Sequence, residues 1–119
     1  MAKYVFPVEP IRPGYDIEFR LQFPQDLWDG EEIGSGRLVA QFRAAVPGPV
    51  LFEADTANAT LQREAPRTLA FFLSDEATRP MDASTIVVFD IARIDGADRH
   101  IVLDKVIWPV LKTVTRDVA

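Results

Sequence analysis

Apolar and polar residues alternate without a break along Tyr15-Asp16-Ile17-Glu18-Phe19-Arg20-Leu21-Gln22-Phe23, the period of a strand with one face buried and one face wet. Shorter runs of the same kind follow. Arg37 to Arg43 reads as a second strand, and Pro47-Gly48-Pro49 as a turn leading into Val50 to Ala54, with Val50, Phe52 and Ala54 on one face. Ala57 to Arg63 is a weaker candidate and Arg67 to Leu73 a stronger one, with Leu69, Phe71 and Leu73 in register. These three segments are expected to form a meander. Ser84 to Arg93 gathers Ile86, Val87, Val88, Phe89 and Ile91 around Asp90, the pattern of a central strand with both faces largely covered. Asp95-Gly96 then turns the chain into His100 to Ile107, with Ile101, Leu103 and Ile107 expected on one side of a hairpin. Pro109 has no N–H for a ladder, so Val110 to Thr115 is expected to start afresh after a bend and close an edge. Between the first two strands, Pro24 and Asp26 to Gly34 read as a long acidic loop. Ser74 to Arg79 is the one helical signal, with Ser74 as N-cap, Asp75 and Glu76 in the first turn and Pro80 as the stop.

Nine prolines and six glycines set the segments at about 6–9 residues, the length of strands rather than helices. Seven or eight short strands with one helical turn near Ser74–Arg79 point to an all-β fold, an antiparallel immunoglobulin-like β-sandwich in a single domain spanning residues 1–119. The Cys and Trp spacing of antibody domains is absent, so this label is architectural. Hydrophobic residues make up 48% of the chain and eight of them are Phe, enough apolar area to fold without disulfides or metal. The absence of cysteine excludes thiol catalysis and thiolate metal sites. A net charge of -5, with the basic residues scattered singly, argues against nucleic acid as a partner. No stretch approaches the roughly 18 unbroken apolar residues of a membrane span. Met1 to Pro7 lacks the apolar core of a signal peptide, so a cytoplasmic protein, or one released only by lysis, is expected.

Chemistry-bearing residues are few. A Ser–His–Asp triad or a zinc site would have to be built around the lone His100, whose place beside Arg99 just past the hairpin turn reads as solvated. Asp26-Leu27-Trp28-Asp29-Gly30-Glu31 resembles a fragment of a calcium loop but lacks alternating ligand spacing, which favours a charged solvated loop. Gly34-Ser35-Gly36 is too short to cradle a phosphate. No cofactor is expected. Asp90, flanked by Phe89 and Ile91, must be paired if it points inward, and Arg20, Arg43 and Lys105 are the available partners. Trp28, Trp108 and Phe6 are candidates for an exposed aromatic surface, for subunit contact or sugar stacking, against packing under a loop as the commoner fate of a lone Trp.

The order Ser74-Asp75-Glu76-Ala77-Thr78, Thr85-Ile86-Val87-Val88-Phe89-Asp90-Ile91, Asp95-Gly96, Leu103-Asp104-Lys105-Val106 and Val114-Thr115-Arg116 resembles the immunoglobulin-like domain at the N-terminus of phage upper-baseplate proteins and of related short prophage proteins. Ile11-Arg12-Pro13-Gly14-Tyr15-Asp16-Ile17 is similar to that family's opening before its first long strand. Phe89 stands where the family more often has Tyr, and the segment from Asp26 to Gly36 departs from its pattern. The resemblance implies a tail-associated or virion structural module without catalysis, assembling by symmetric self-association or by docking on other tail components. Two rival readings remain at this point. One is a carbohydrate-binding sandwich that stacks sugars on Trp28 or Trp108. The other is a small hydrolase with a carboxylate pair drawn from Asp29, Glu31, Glu32 and Asp98.

Overall fold

The computed structural model describes residues 4–5, 10–83 and 86–110. Among these residues the strands are β1 (Tyr4–Val5), β2 (Ile17–Gln22), β3 (Arg37–Arg43), β4 (Val50–Asp55), β5 (Leu61–Glu64), β6 (Thr68–Leu73), β7 (Ile86–Asp95) and β8 (Asp98–Pro109). Two short helices, α1 (Gln25–Gly30) and α2 (Asp75–Thr78), and two 3₁₀ turns complete the elements. A five-stranded sheet runs β1-β8-β7-β3-β4 and a three-stranded sheet β2-β6-β5. Neighbours are antiparallel except β1, which lies parallel to β8. Lettered in chain order from β2 as B, C, C′, D, E, F and G, the sheets are C′CFG and BED, the strand order of the immunoglobulin sandwich.

Antibody domains tie strands B and F together with a disulfide. This cysteine-free chain joins the same two strands with rings, Phe19 on β2 and Phe89 on β7, whose centroids lie 6.1 Å apart. Phe19 stacks on Phe71 at 4.4 Å within one sheet, Phe42 stacks on Phe89 at 4.6 Å within the other, and Trp108 meets Phe19 edge-on at 4.0 Å. Each fully buried ring contributes about 1.5–3 kcal/mol from area alone, and each well-placed ring pair adds about 0.5–1.5 kcal/mol.

The hairpin, the alternation of β2 and the helical turn follow the sequence pattern. Ser74 caps α2 by accepting from the Ala77 N–H at 3.3 Å. Pro80 does not stop the turn but falls in a 3₁₀ continuation, Arg79–Ala83. Three expectations are corrected. The meander is split: β4 pairs with β3 in the larger sheet, whereas β5 pairs with β6 in the smaller, so the chain crosses the sandwich at Thr56–Ala59. The acidic loop holds α1, which tucks Leu27 and Trp28 toward the core. The third correction concerns β8. Phe89 pairs with Val106 and Ile91 with Leu103, leaving Asp104 and Lys105 opposite the single residue Asp90. This bulge, with Lys105 at φ 54°, reverses the alternation. Leu103 is buried, but beyond the bulge Val106 and Trp108 take the inner face and Ile107 turns outward. A second irregularity, at Val102, leaves Ile101 40% exposed. β8 itself continues through Pro109, whose carbonyl accepts from the Ile11 N–H at 2.8 Å. The expected edge strand beyond Val110 lies outside the described residues.

Candidate functional site

Of the titratable residues singled out by sequence, Glu31, Glu32 and His100 are brought together at one end of the sandwich, where the segment from α1 to Gly36 folds over the β7–β8 hairpin. Trp28 is half-buried, 5.9 Å from the Phe23 ring. Its indole fills the space above Gly34, where a Cβ would come within 2.8 Å of Trp28 Nε1. Arg63 fastens the segment from below, donating to the carbonyls of Ile33 at 2.8 Å and Gly36 at 2.6 Å. Arg93, mostly buried, lies 3.4 Å from Glu32 and 3.6 Å from Asp95, with its Nε enclosed and without a hydrogen-bond partner. Burial first, and then the charge of Arg93, hold the Arg63 guanidinium below its ordinary value. His100 meets Glu31 at 2.8 Å across the surface. The end is therefore a clasp that holds the α1 segment on the sandwich. Glu31 and Glu32 are engaged by His100 and Arg93, while Asp29 and Asp98 stand in solvent. Among the described residues no group of three or more His, Cys, Asp or Glu is placed to hold a metal ion.

Trp108 is corrected outright. The Asp104–Lys105 bulge turns it inward and leaves it 0% exposed, so it offers no ring for sugar stacking or subunit contact. Trp28 packs under its loop, and Phe6 lies outside the described residues.

The outer face of the five-stranded sheet is different. Its β3 side is a polar lattice. Arg37 grips the buried Asp55 carboxylate with two bonds, at 3.1 and 2.6 Å. Gln41 accepts from Arg43 at 2.8 Å and Arg99 at 3.2 Å, and donates to Glu53 at 2.8 Å. Asp90 points into this lattice, not into the core, and its partner is Arg99 at 3.4 Å, a residue outside the set expected from the sequence. Burial pushes its carboxyl above the usual range, offset in part by Arg99 and Arg43, with Asp104 pushing it further up.

Toward the other end of the same strands the lattice gives way to apolar side chains. Val46, 59% exposed, and Ile86, 39% exposed, join Val88 and Ile107 around a groove of about 270 Å³ that Ala44, Ala45 and Lys105 complete. It runs on into a hollow of about 50 Å³ bordered by Arg43, Asp90, Asp104 and Lys105. Lys105 and Asp104, neighbours on the bulge, form no ion pair with other described residues. The sequence reading missed this groove because a run such as Ile86–Phe89 reads as covered on both sides. The available signal was that none of the elements among the described residues is assigned to cover the second side.

A third depression, of about 410 Å³, lies on the smaller sheet between Asp16, Glu18, Phe72 and Ser74. Its polar groups are already used: Asp16 accepts from the Asp75 N–H at 2.7 Å, Glu18 pairs with Arg20, and Ser74 caps α2. Among the described residues no helix is long and apolar enough to cross a membrane. In comparisons with known proteins, the chain matches no family model, no curated protein and no solved structure.

Proposed function

We propose that this chain is a non-enzymatic structural or assembly module of a phage or prophage tail or baseplate, working through subunit contacts on the outer face of its larger sheet. The observation that carries the contact reading is the groove of Val46, Ile86, Val88 and Ile107, apolar surface left open on strands that are otherwise packed. The tail assignment comes from the sequence resemblance, and the immunoglobulin strand order of the sheets is consistent with it. On this reading the protein is made in the cytoplasm of the producing cell and incorporated into a virion.

The test is immunogold labelling of particles purified after prophage induction, alongside binding of the isolated chain to purified tail components. Label on tails or baseplates, and saturable binding lost on Ile86→Asp, are expected. Particles without label, together with a chain that neither self-associates nor binds tail components, would overturn the reading.

A further inference from the structure

We infer that the occupant of the outer-face groove is a second copy of this chain, the two larger sheets packing face to face about a two-fold axis. The inference rests on the contact reading above and names its partner. Two observations select a second copy, and a third marks the groove as a built feature of the fold.

The first is charge. The chain as a whole carries -5, which opposes association of like molecules. The outer face does not share that excess, since Arg37, Arg43, Arg99 and Lys105 stand against Glu53, Asp55, Asp90 and Asp104. An isologous contact places one patch against itself and therefore needs a face that complements its own charges. Lys105 and Asp104 meet that need directly, as an adjacent cation and anion without ion-pair partners among the described residues, each positioned to take the opposite group of the other copy.

The second is size. The five strands are of unequal length, from two residues in β1 to twelve in β8, and at about 3.3 Å per residue and about 4.8 Å between strands they present roughly 600 Å² of face, the lower end of what each partner contributes to a specific interface. The third is the backbone at Lys105. A non-glycine residue at φ 54° is costly to hold. The same bulge turns Ile107 outward to line the groove and sets Lys105 at its border.

Sedimentation velocity on the full chain over a concentration series tests the inference. The wild type should move from one chain mass to two as concentration rises. Ile86→Asp, at a position already part exposed, should weaken association at least about 100-fold while leaving the melting temperature of the dilute protein unchanged. Lys105→Glu and Asp104→Lys should each weaken self-association, and an equimolar mixture of the two should regain it as a heterodimer, which simple misfolding of either variant would not produce. A wild-type dimer indifferent to Ile86→Asp, or a mixture that stays monomeric, would overturn the face-to-face arrangement. A wild type monomeric at every concentration would overturn the second copy, and if it still bound tail components the contact reading would stand.

Discussion

The two faces of β7 and β8 are built from the same kind of residue and meet different fates. Inward, Val87, Phe89, Val106 and Trp108 are almost wholly enclosed, because the smaller sheet brings Phe19 and Phe71 against them. Outward, Ile86, Val88 and Ile107 meet no second layer among the described residues and line a groove. A β-sheet gains stability from a face only when something covers it. The inner face thus explains the fold, and the outer face marks where the molecule has apolar surface left to use.

The contrast is sharpest in the core. Phe89→Ala, which removes a ring contacting Phe19, Phe42 and Phe71, should cost about 3–5 kcal/mol in urea unfolding. A loss below about 1 kcal/mol would mean that the aromatic cluster does not hold the sheets together. Trp108→Ala should fall in the same range of about 3–5 kcal/mol, against about 1–2 kcal/mol for the half-buried Trp28→Ala. Equal effects of the two would undo the assignment of Trp108 to the inner face.

On the outer face the expected effects are smaller and depend on pH. The hydrogen bonds from Arg37 hold the Asp55 carboxyl below the usual carboxylate range, followed by smaller help from the Ala57 N–H. Its folded value being depressed, its contribution is complete above the unfolded value of about 4 and is lost as pH falls through the folded value. Asp55→Asn should cost about 1–2 kcal/mol at neutral pH and flatten the acid limb of the melting curve. Asp90 has the opposite sign. Its folded value is raised, so the penalty for keeping it ionised appears as pH rises from the unfolded value through the folded one. Asp90→Asn should therefore stabilise the neutral protein by less than about 1 kcal/mol, and a clear loss would show that its pairing with Arg99 outweighs its desolvation. The smallest effect belongs to the groove. Ile86→Ala should change the stability of the dilute chain by under about 0.5 kcal/mol, and a larger loss would place Ile86 in the fold's own core.

Much of this architecture is legible in the sequence, because alternation reports burial wherever a strand is regular. β2, β3 and the Asp95-Gly96 hairpin are visible for that reason, and Ser74 announces α2 through its capping geometry. The Trp108 expectation failed at a place where alternation is interrupted. A bulge with Lys105 in the left-handed region carries no glycine to flag it, yet it exchanges the faces of every residue from Val106 onward. α1 was invisible because six residues after Pro24 are too few to show a helical period. Asp90 was expected to pair with Arg20, Arg43 or Lys105 if it pointed inward; it points outward, and Arg99 became its partner through the hairpin register. The groove escaped notice for a different reason: sequence shows that a residue is apolar, and coverage depends on a second layer that none of the described residues supplies there.

Methyl NMR of the chain as a function of its own concentration probes the difference between the two faces most directly. The resonances of Val46, Ile86, Val88 and Ile107 are predicted to shift together and saturably as concentration rises, while those of Val87, Leu38 and Val106 stay fixed. Shifts centred instead on the Trp28 end of the sandwich, or no shift at any concentration, would contradict the assignment of the outer face as the surface through which two copies meet.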